Sequence, residues 1–554
     1  MQSQSFTRSA VVILLTSVCW TSCGLTIGQE QGAQPAAAAR DATKSAPPFT
    51  ISQETTYITE PLNPNGYPDY VAAVNKELSK GVTPENNGAA VVLAIIDPHA
   101  EPKSDNLYKL LKVERPTSGY LQSYKTFISE KLTRDGYEAD TAAYLATEKR
   151  LEDQFDAALT RPWTEEEFPP VAEWLKQQQP ALETFKKIRQ KDRWFVPLEL
   201  DPERLSFMEI RLSLQHQMRD IACAQAILAL REIGHQRYAQ AAEVIADSLH
   251  WLRISQPAWA FIEKIINVNN HSTAHDAPLM HLTYAAPSGA IDVEGLVKLH
   301  GSIDKSTWNK ILHHYDRMNI LSIMCEMAQY GYNWSTIPGE KLTVGADQQF
   351  NDTVDFDVML QTINGYYDRK EEILRLSTAE ERWKAFEELK QKVAKDRQGI
   401  KDSGLLYKAM LVSMSKEERS RACAALTYTI MTTGFNHGIQ MKLLQRLELQ
   451  ANLQRANLAL VRYRAKHGKY PLDFAELKSE GIEALPRELI VEGPIKYKTD
   501  GDNFVLWSIG YDENDSGGYN GYDQADHLHD DYAVFSPAWQ PKPPPKMETE
   551  DGEK

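Results

Sequence analysis

Apolar residues recur at intervals of three and four over most of the chain, which predicts a mostly helical protein. Between residues 203 and 330 this spacing predicts a helical core, with a break at Gly234 between two helices. Residues 89–96 form an unbroken apolar run, for which the pattern leaves a buried strand and a buried helix open. Thr164 and Glu167 have the spacing of a capping box, which predicts a helix start at that point.

The longest regular stripe lies near the C-terminus, after a predicted break at residues 434–438. Its members follow one another at steps of three and four over about six turns of helix. They are Leu444, Leu447, Ala451, Gln454, Leu458, Val461 and Ala465. Gln454 is the one polar member. Such a stripe is expected to pack against the helical body, a C-terminal sheet or a partner.

The start of the chain has the pattern of an export signal. Residues 10–20 are an apolar run, and small residues follow up to Gly28, which predicts a signal peptide over residues 1–28. The sequence around Cys23 resembles the end of a bacterial lipobox and would place a lipid on Cys23, although Trp20 stands where that motif prefers Leu. An uncleaved membrane anchor is the third alternative.

Composition and charge narrow the class of protein. The chain has 554 residues, a formal net charge of −15 and 42 % hydrophobic residues, which is typical of globular domains. The negative charge argues against a nucleic-acid partner and against binding to anionic lipid. A mean hydropathy of −0.46 excludes a polytopic membrane protein. Cys223, Cys325 and Cys423 lie in apolar stretches and are interpreted as buried small hydrophobes, with one disulfide left open.

The last structured segment carries the most readable motifs. A Gly468-x-Tyr470-Pro471 turn follows the long helix, a Ser508-x-Gly510-x-Asp512 motif follows a predicted strand, and Gly517-Gly518 lies in an acidic loop. This order resembles the C-terminal half of the major pseudopilin of bacterial type II secretion systems. The resemblance implies a long helix leading to a small antiparallel sheet and a calcium loop.

The resemblance covers about 85 of the 554 residues. Trp507 stands where the pseudopilin strand has Tyr, more than 400 residues precede the module, and the N-terminus has no prepilin Gly-Phe cleavage site. A filament subunit is therefore not expected, and the resemblance says nothing about the preceding residues.

The acidic loop can also be interpreted by itself. Nine carboxylates and no Lys or Arg lie between Lys498 and Lys542. Oxygen-rich loops of this kind suit Ca²⁺, and the spacing approximates that of an EF-hand loop without its flanking helices. The predicted ligands are Asp512, Asn514, Ser516, Asp523 and Asp526. The alternative is an acidic loop that is merely solvated.

Candidate catalytic residues are sparse. His271 and His275 have the i, i+4 spacing of a metal pair, but Ser272 stands where a metalloprotease needs its Glu. They, and the pair His313-His314, are interpreted mainly as polar surface or cap residues. The sequence has no Gly-x-Ser-x-Gly elbow, Walker loop or Gly-x-Gly-x-x-Gly motif.

These patterns predict an exported bacterial protein that is periplasmic or associated with the cell envelope. The predicted division is a signal peptide (1–28), a disordered tether (29–48), a mixed, mainly helical N-terminal region (49–200), a helical core (201–440), a pseudopilin-like α+β module (441–537) and a disordered tail (538–554). The leading hypothesis is a structural or interaction protein. It would bind a protein partner or itself, hold Ca²⁺ as its cofactor, and reach the membrane only through its signal or lipid. The alternative is an exported hydrolase with a site in the helical body, near residues 271–281.

Overall fold

The structure is a computed structural model. It describes residues 46–96, 105–199, 213–287, 289–300, 309–330, 353–397, 414–433, 437–480, 488, 493–510, 514–519, 531–539 and 541–542. The protein is mostly helical with a small antiparallel sheet near the C-terminus, so the predicted fold class is confirmed. Within the described ranges, no helix is both long and apolar enough to cross a membrane.

The helices of the first 300 residues are short at first and longer after residue 213. They are α1 (Tyr70–Leu78), α2 (Gly88–Leu93), α3 (Asp105–Leu111), α4 (Tyr124–Arg134), α5 (Ala142–Ala158), α6 (Pro169–Gln177), α7 (Gln179–Phe185), a 3-10 turn (Lys186–Gln190), α8 (Ser213–Gly234), α9 (Tyr238–Ile254), α10 (Phe261–Ala285) and α11 (Val293–His300).

A π-helical turn opens the second half of the chain. The elements are this turn (Ile311–Tyr315), α12 (Asp316–Tyr330), α13 (Phe356–Leu374), α14 (Ala379–Asp396), α15 (Lys416–Thr433), α16 (His437–His467), a 3-10 turn (Phe474–Glu480), β1 (Lys496–Thr499), β2 (Phe504–Ser508) and β3 (Tyr532–Phe535).

The points at which two helices begin test the predictions for residues 89–96 and for Thr164. Residues 89–96 contain a buried helix and not a strand, because the Asn87 side chain accepts a hydrogen bond from the Ala89 amide and caps α2. The capping box predicted at Thr164 and Glu167 is wrong. The helix begins instead at Pro169, after Phe168, which makes no side-chain cap.

Buried apolar side chains form three clusters. The first core joins α2 to α11 and includes Leu458 of α16. The second core packs residues 49–74 against the π-helical turn and α12 to α15, although well over 200 residues of chain separate them. The third core lies between α16 and the sheet. Cys223, Cys325 and Cys423, the cysteines among the described residues, are buried free thiols, which confirms their interpretation as small hydrophobes.

The long helix α16 has two apolar faces. Leu449, Leu453 and Leu460 pack into the third core, against the sheet. Leu458, a member of the predicted stripe, packs into the first core, and the amide of Gln454 donates to Asp276 Oδ1 at 3.2 Å. Where its contacts are described, the stripe therefore faces the helical body, and its polar member meets a polar partner there.

The sheet is a meander in the order β1-β2-β3, with both pairs antiparallel. Gly468 follows α16 with φ of +79°, a left-handed conformation in which glycine has no steric penalty. The Tyr470 amide then donates to the Gly501 carbonyl in the β1–β2 turn at 2.8 Å, and its ring contacts Phe504. The Gly-x-Tyr-Pro segment thus joins the long helix to the hairpin.

Candidate functional site

Residues 514–519, the part of the acidic loop that the structure describes before residue 531, turn around one buried carboxylate. Asp531, directly before β3, has no exposed surface, and its Oδ2 accepts the amides of Ser516 at 2.9 Å and Gly518 at 2.8 Å. Gly517 and Gly518 both have positive φ, which allows the chain to turn around the carboxylate. A Cβ on Gly518 would lie 3.1 Å from that of Ala533, so the loop also needs a small residue there.

Asp531 was counted in the sequence as one of nine carboxylates but not as a ligand. Burial, together with the nearby Asp515 carboxylate, raises the pKa of Asp531 to about 7, although the amides of Gly518 and Ser516 favour its ionised form. The signal that could have identified it is the glycine pair, because glycines permit a tight turn in which successive backbone amides point at an anion.

Asp515 fastens the loop to the sheet. Its Oδ1 accepts a hydrogen bond from Trp507 Nε1 at 2.8 Å and from the Gly517 amide at 3.1 Å. Trp507 lies on β2, at the position where the pseudopilin strand has Tyr. The indole therefore gives the tryptophan a specific role in holding the loop.

The predicted calcium ligands are placed only in part. Asn514 is exposed, and Ser516 is buried beside Asp531. Asp512, Asp523 and Asp526 lie outside the described residues, as does Cys23. Among the side chains that are described, no three His, Cys, Asp or Glu residues are grouped closely enough to hold a metal ion. The described donors of the loop are oxygen atoms, which fit a hard cation such as Ca²⁺ better than a transition metal.

The histidines of α10 bond different partners. His275 is buried with Nε2 at 3.3 Å from Asp276 Oδ1, while His281 Nε2 lies 3.0 Å from the Thr160 carbonyl oxygen. The side chain of His271 lies outside the described residues. The described part of this segment therefore supports packing and hydrogen-bonding roles.

A second polar cluster joins three residues that are far apart in sequence. The Tyr57 hydroxyl lies 2.8 Å from His314 Nδ1, and His314 Nε2 lies 2.9 Å from Glu77 Oε2. Lys310 forms an ion pair with the same Glu77 carboxylate. We call Tyr57, His314 and Glu77 the hydroxyl–imidazole–carboxylate chain. Sequence reasoning missed it and interpreted His313-His314 as polar surface.

Two uncommon backbone conformations hold this chain in place. Tyr57 has φ of 62°, and the Ile58 amide donates to the Thr56 carbonyl at 2.6 Å, so Tyr57 is the central residue of a γ-turn. His314 lies in the π-helical turn. A bulky residue at positive φ is costly, and π-turns occur frequently at functional sites.

Buried cations lie beneath the cluster. The guanidinium carbon of Arg317 is 4.4 Å from the centre of the Tyr57 ring, and Arg317 pairs with Asp368 at 2.6 Å. Lys370 is 1 % exposed and pairs with Asp316 at 3.0 Å. Each buried cation thus has a carboxylate partner, as a buried charge requires.

The electrostatics of the cluster favour an ionised Glu77. Burial opposes its ionisation, but hydrogen bonds from His314 and Lys310 outweigh burial and lower the pKa of Glu77 to about 2. Burial also raises the pKa of Tyr57 and lowers that of His313 to about 4. At neutral pH, Glu77 is therefore a carboxylate, Tyr57 a phenol and His313 an uncharged imidazole.

A shallow cleft elsewhere offers no comparable arrangement. Its lining comes from one continuous stretch at the end of α3, namely Tyr108, Lys109, Lys112, Val113, Glu114 and Arg115. Side chains from a single segment do not converge on a ligand in the way that side chains from separate elements do.

Comparison with known proteins gives no relative: no family model, no curated protein and no solved structure matches the chain.

Proposed function

We propose that the protein is an exported, envelope-associated structural or interaction protein of bacteria, with a pseudopilin-like C-terminal module that binds Ca²⁺. The observation that carries this proposal is the pair of hydrogen bonds from the Ser516 and Gly518 amides to the buried Asp531 carboxylate. Two amides of the loop bond a buried carboxylate, and these bonds give the loop a defined conformation. A defined conformation is expected of a binding loop and not of a solvated acidic turn.

The pseudopilin-like part is supported by the order and packing of its elements. A 31-residue helix, α16, precedes a three-stranded antiparallel meander, and the two share the third core. The Gly468-x-Tyr470-Pro471 turn lies at their junction, where the resemblance expects it.

The calcium part is supported by the chemistry of the donors. Asp512, Asn514, Ser516, Asp523 and Asp526 would hold the ion through carboxylate, amide and hydroxyl oxygens. Asp531 would position the loop through the Ser516 and Gly518 amides. The ion would supply positive charge that offsets the repulsion among the carboxylates.

The structural role is supported by polar contacts between the module and the body. Arg462 of α16 pairs with Glu294 of α11 at 2.6 Å, and the Tyr284 hydroxyl donates to Asn503 Oδ1 at 3.4 Å. With Leu458 in the first core, these contacts make the module a fixed extension of the body and not a tethered domain.

Export rests on the apolar run of residues 10–20. If the lipoprotein alternative holds, Cys23→Ser abolishes incorporation of labelled palmitate in bacterial cells. If the uncleaved anchor holds, that variant stays in the membrane fraction.

A thermal melt of the full chain in Ca²⁺, in Mg²⁺ and in excess chelator tests the calcium module. Binding to the folded state alone stabilises it by about 2.7 kcal/mol at a free concentration of 100 Kd. We expect a rise in midpoint that is larger with Ca²⁺ than with Mg²⁺ and is lost in Asp512→Ala and Asp523→Ala.

The matched control is Asp502→Ala. Asp502 is an exposed carboxylate in the β1–β2 turn, on the same module but outside the loop. This variant should keep the full rise. An equal rise in Asp512→Ala, or an equal effect of the two cations, would reduce the loop to a solvated acidic turn.

The hydrolase alternative gains no support at residues 271–281, because His275 and His281 have separate partners. The observation that favours an enzymatic role is the hydroxyl–imidazole–carboxylate chain in the second core.

A further inference from the structure

The hydrogen bonds at His314 fix the position of one proton. An ionised Glu77 only accepts hydrogen bonds, so His314 Nε2 must carry a proton and donate it. In the tautomer whose single proton is on Nε2, Nδ1 is an acceptor for the Tyr57 hydroxyl. The carboxylate therefore selects the tautomer in which the imidazole can take the proton of Tyr57, the arrangement on which hydroxyl nucleophiles depend.

The three side chains come from three separate elements. Glu77 lies on α1, His314 on the π-helical turn, and Tyr57 at the centre of a γ-turn. A purely structural hydrogen bond needs neither uncommon conformation. The strain at Tyr57 together with the π-turn at His314 therefore favours a functional constraint.

Arg317 supplies an independent observation. Its side chain is 4 % exposed, and its Nε–H has no hydrogen-bond partner among the described residues. A buried donor without an acceptor is costly and calls for an explanation. Because the guanidinium lies against the Tyr57 ring, an oxygen that becomes negative beside Tyr57 would be stabilised by this cation.

We propose that Tyr57, His314 and Glu77 form an acyl-transfer site that hydrolyses aryl esters. Tyr57 is the nucleophile, His314 the general base and then the general acid, and Glu77 a positioning residue. Tyr57 is half-buried and Glu77 is 34 % exposed on its side chain, so the site is reached from solvent.

The reaction balances without a cofactor. The Tyr57 oxygen attacks the ester carbonyl carbon while its proton passes to His314 Nδ1. The bond between carbonyl carbon and aryl oxygen breaks, and the departing phenol takes the proton from His314, which leaves an acyl-tyrosine. Water then attacks this ester and gives a proton to His314, which returns it to the Tyr57 oxygen. The products are one phenol and one carboxylic acid.

The nucleophile itself selects the substrate class. Tyr57 is a phenol, and a phenoxide is a much better leaving group than an alkoxide. The equilibrium for acyl transfer from an alkyl ester to Tyr57 is therefore unfavourable, whereas the equilibrium for transfer from an aryl ester is near unity or favourable. The site should thus accept acyl groups carried by phenols and reject those carried by simple alcohols.

The test uses the full chain with p-nitrophenyl acetate and ethyl acetate. We expect a burst of one nitrophenol per chain, no hydrolysis of ethyl acetate, and an acetyl group that peptide mass mapping places on Tyr57. Tyr57→Phe should abolish the burst, and His314→Gln should slow it by about 10² or more. Glu77→Gln should lower kcat with KM unchanged, because it only positions the imidazole.

Tyr463→Phe is the matched control. The Tyr463 ring stacks on His467 at 4.1 Å, but the described acceptor of its hydroxyl proton is the Glu476 carboxylate and not an imidazole nitrogen. This variant should keep the full burst. An unchanged burst in Tyr57→Phe, or acetyl groups on lysines with Tyr57 unmodified, would overturn the proposal. The peptide mass map of the chain without substitutions shows whether Tyr57 carries the acetyl group, even if a variant fails to fold.

Discussion

The buried ion pair of Lys370 and Asp316 gives a sharp prediction about the second core. The Lys370 side chain is 1 % exposed and that of Asp316 is 29 % exposed, with 3.0 Å between the charged atoms. Asp316 Oδ2 also accepts the Tyr367 hydroxyl at 2.7 Å. Asp316→Asn keeps an acceptor for Tyr367 and removes only the charge, so it isolates the ionic part of the contact.

The two single substitutions should destabilise the protein by different amounts, because the side chains of Lys370 and Asp316 differ in exposure. Asp316→Asn leaves a buried ammonium without its carboxylate, which typically costs about 3–5 kcal/mol. Lys370→Met leaves a carboxylate that water still reaches, and we expect a cost of about 1–2 kcal/mol. The double variant buries no unpaired charge and should be less destabilised than Asp316→Asn alone, with a coupling of at least about 2 kcal/mol.

Hydrogen exchange followed by mass spectrometry is the suitable assay, because it reports the local stability of the helices that carry this ion pair. Peptides of α12 and α13 should exchange about 10² to 10³ times faster in Asp316→Asn, since 1.4 kcal/mol corresponds to a factor of ten. The exposed pair Arg421–Glu417 on α15 is the control. Glu417→Gln should cost only about 0.3–0.5 kcal/mol.

Two results would refute this reasoning. One is a change of less than about tenfold in Asp316→Asn, which would mean that Lys370 finds water or another partner at little cost. The other is a double variant whose increase in exchange rate equals the product of the increases in the two single variants. That result would mean that the two charges are not coupled.

Three further predictions concern pH and backbone conformation. The pKa of Glu77 is lowered to about 2, so its contribution to the free energy of unfolding is complete above about pH 4.5 and is lost as the pH falls towards 2. Discounted for the exposure of the side chain, this contribution is about 1–2 kcal/mol. Glu77→Gln should remove this part of the acid dependence of the melting midpoint. Burial raises the pKa of Asp220 to about 6, so the free-energy cost of its ionisation in the folded state appears as the pH rises from about 4 to 6. Asp220→Asn should therefore raise the melting midpoint at pH 7.5 but not at pH 4, and the gain in the free energy of unfolding should be at most about 3 kcal/mol. Gly468→Ala should destabilise the protein by about 1 kcal/mol, because φ at this position is +79°. Gly365→Ala should stabilise it by about 0.5–1 kcal/mol, because Gly365 lies inside α13 with open space where the Cβ would be. Parallel melts of the two variants should show shifts of the midpoint in opposite directions.

Helical periodicity predicted the long elements well because burial of one face sets their pattern. Helix α16 includes every member of the predicted stripe, and Leu458 and Gln454 contact the helical body. Of the predicted break at residues 434–438, residues 434–436 lie outside the described residues, and His437 already begins α16. The capping box at Thr164 failed for a reason that was present in the sequence. Phe168 precedes Pro169, and a residue before proline is disfavoured in the helical conformation, so no helix can run through this point.

The sites were harder to predict because their contacts are long-range. Residues 57 and 314 are 257 positions apart, and no local pattern records that a γ-turn will meet a π-helical turn. The adjacent histidines were the only local signal. In the acidic loop, EF-hand spacing directed attention to residues 512–526, whereas the described geometry centres on Asp531 and the two glycines before it.

The two proposed sites lie in different cores, and this separation makes a final prediction. Tyr57 packs against the second core and bonds His314 beside it, whereas the described part of the acidic loop lies next to the sheet of the third core. The described contacts of α16 with the body reach α10 and α11, and Leu458 enters the first core. Coupling between sites needs an element with two arrangements that both sites bias, and these contacts provide none between the loop and Tyr57.

Removal of Ca²⁺ should therefore lower the melting midpoint and leave the acyl burst unchanged below that midpoint. Asp512→Ala should behave as the chelator does, and Tyr57→Phe should keep the full response to Ca²⁺. A burst that falls on chelation at a temperature where the chain is folded would contradict this independence. It would mean that the module and the second core act as one two-state unit, with the first core as the connection between them.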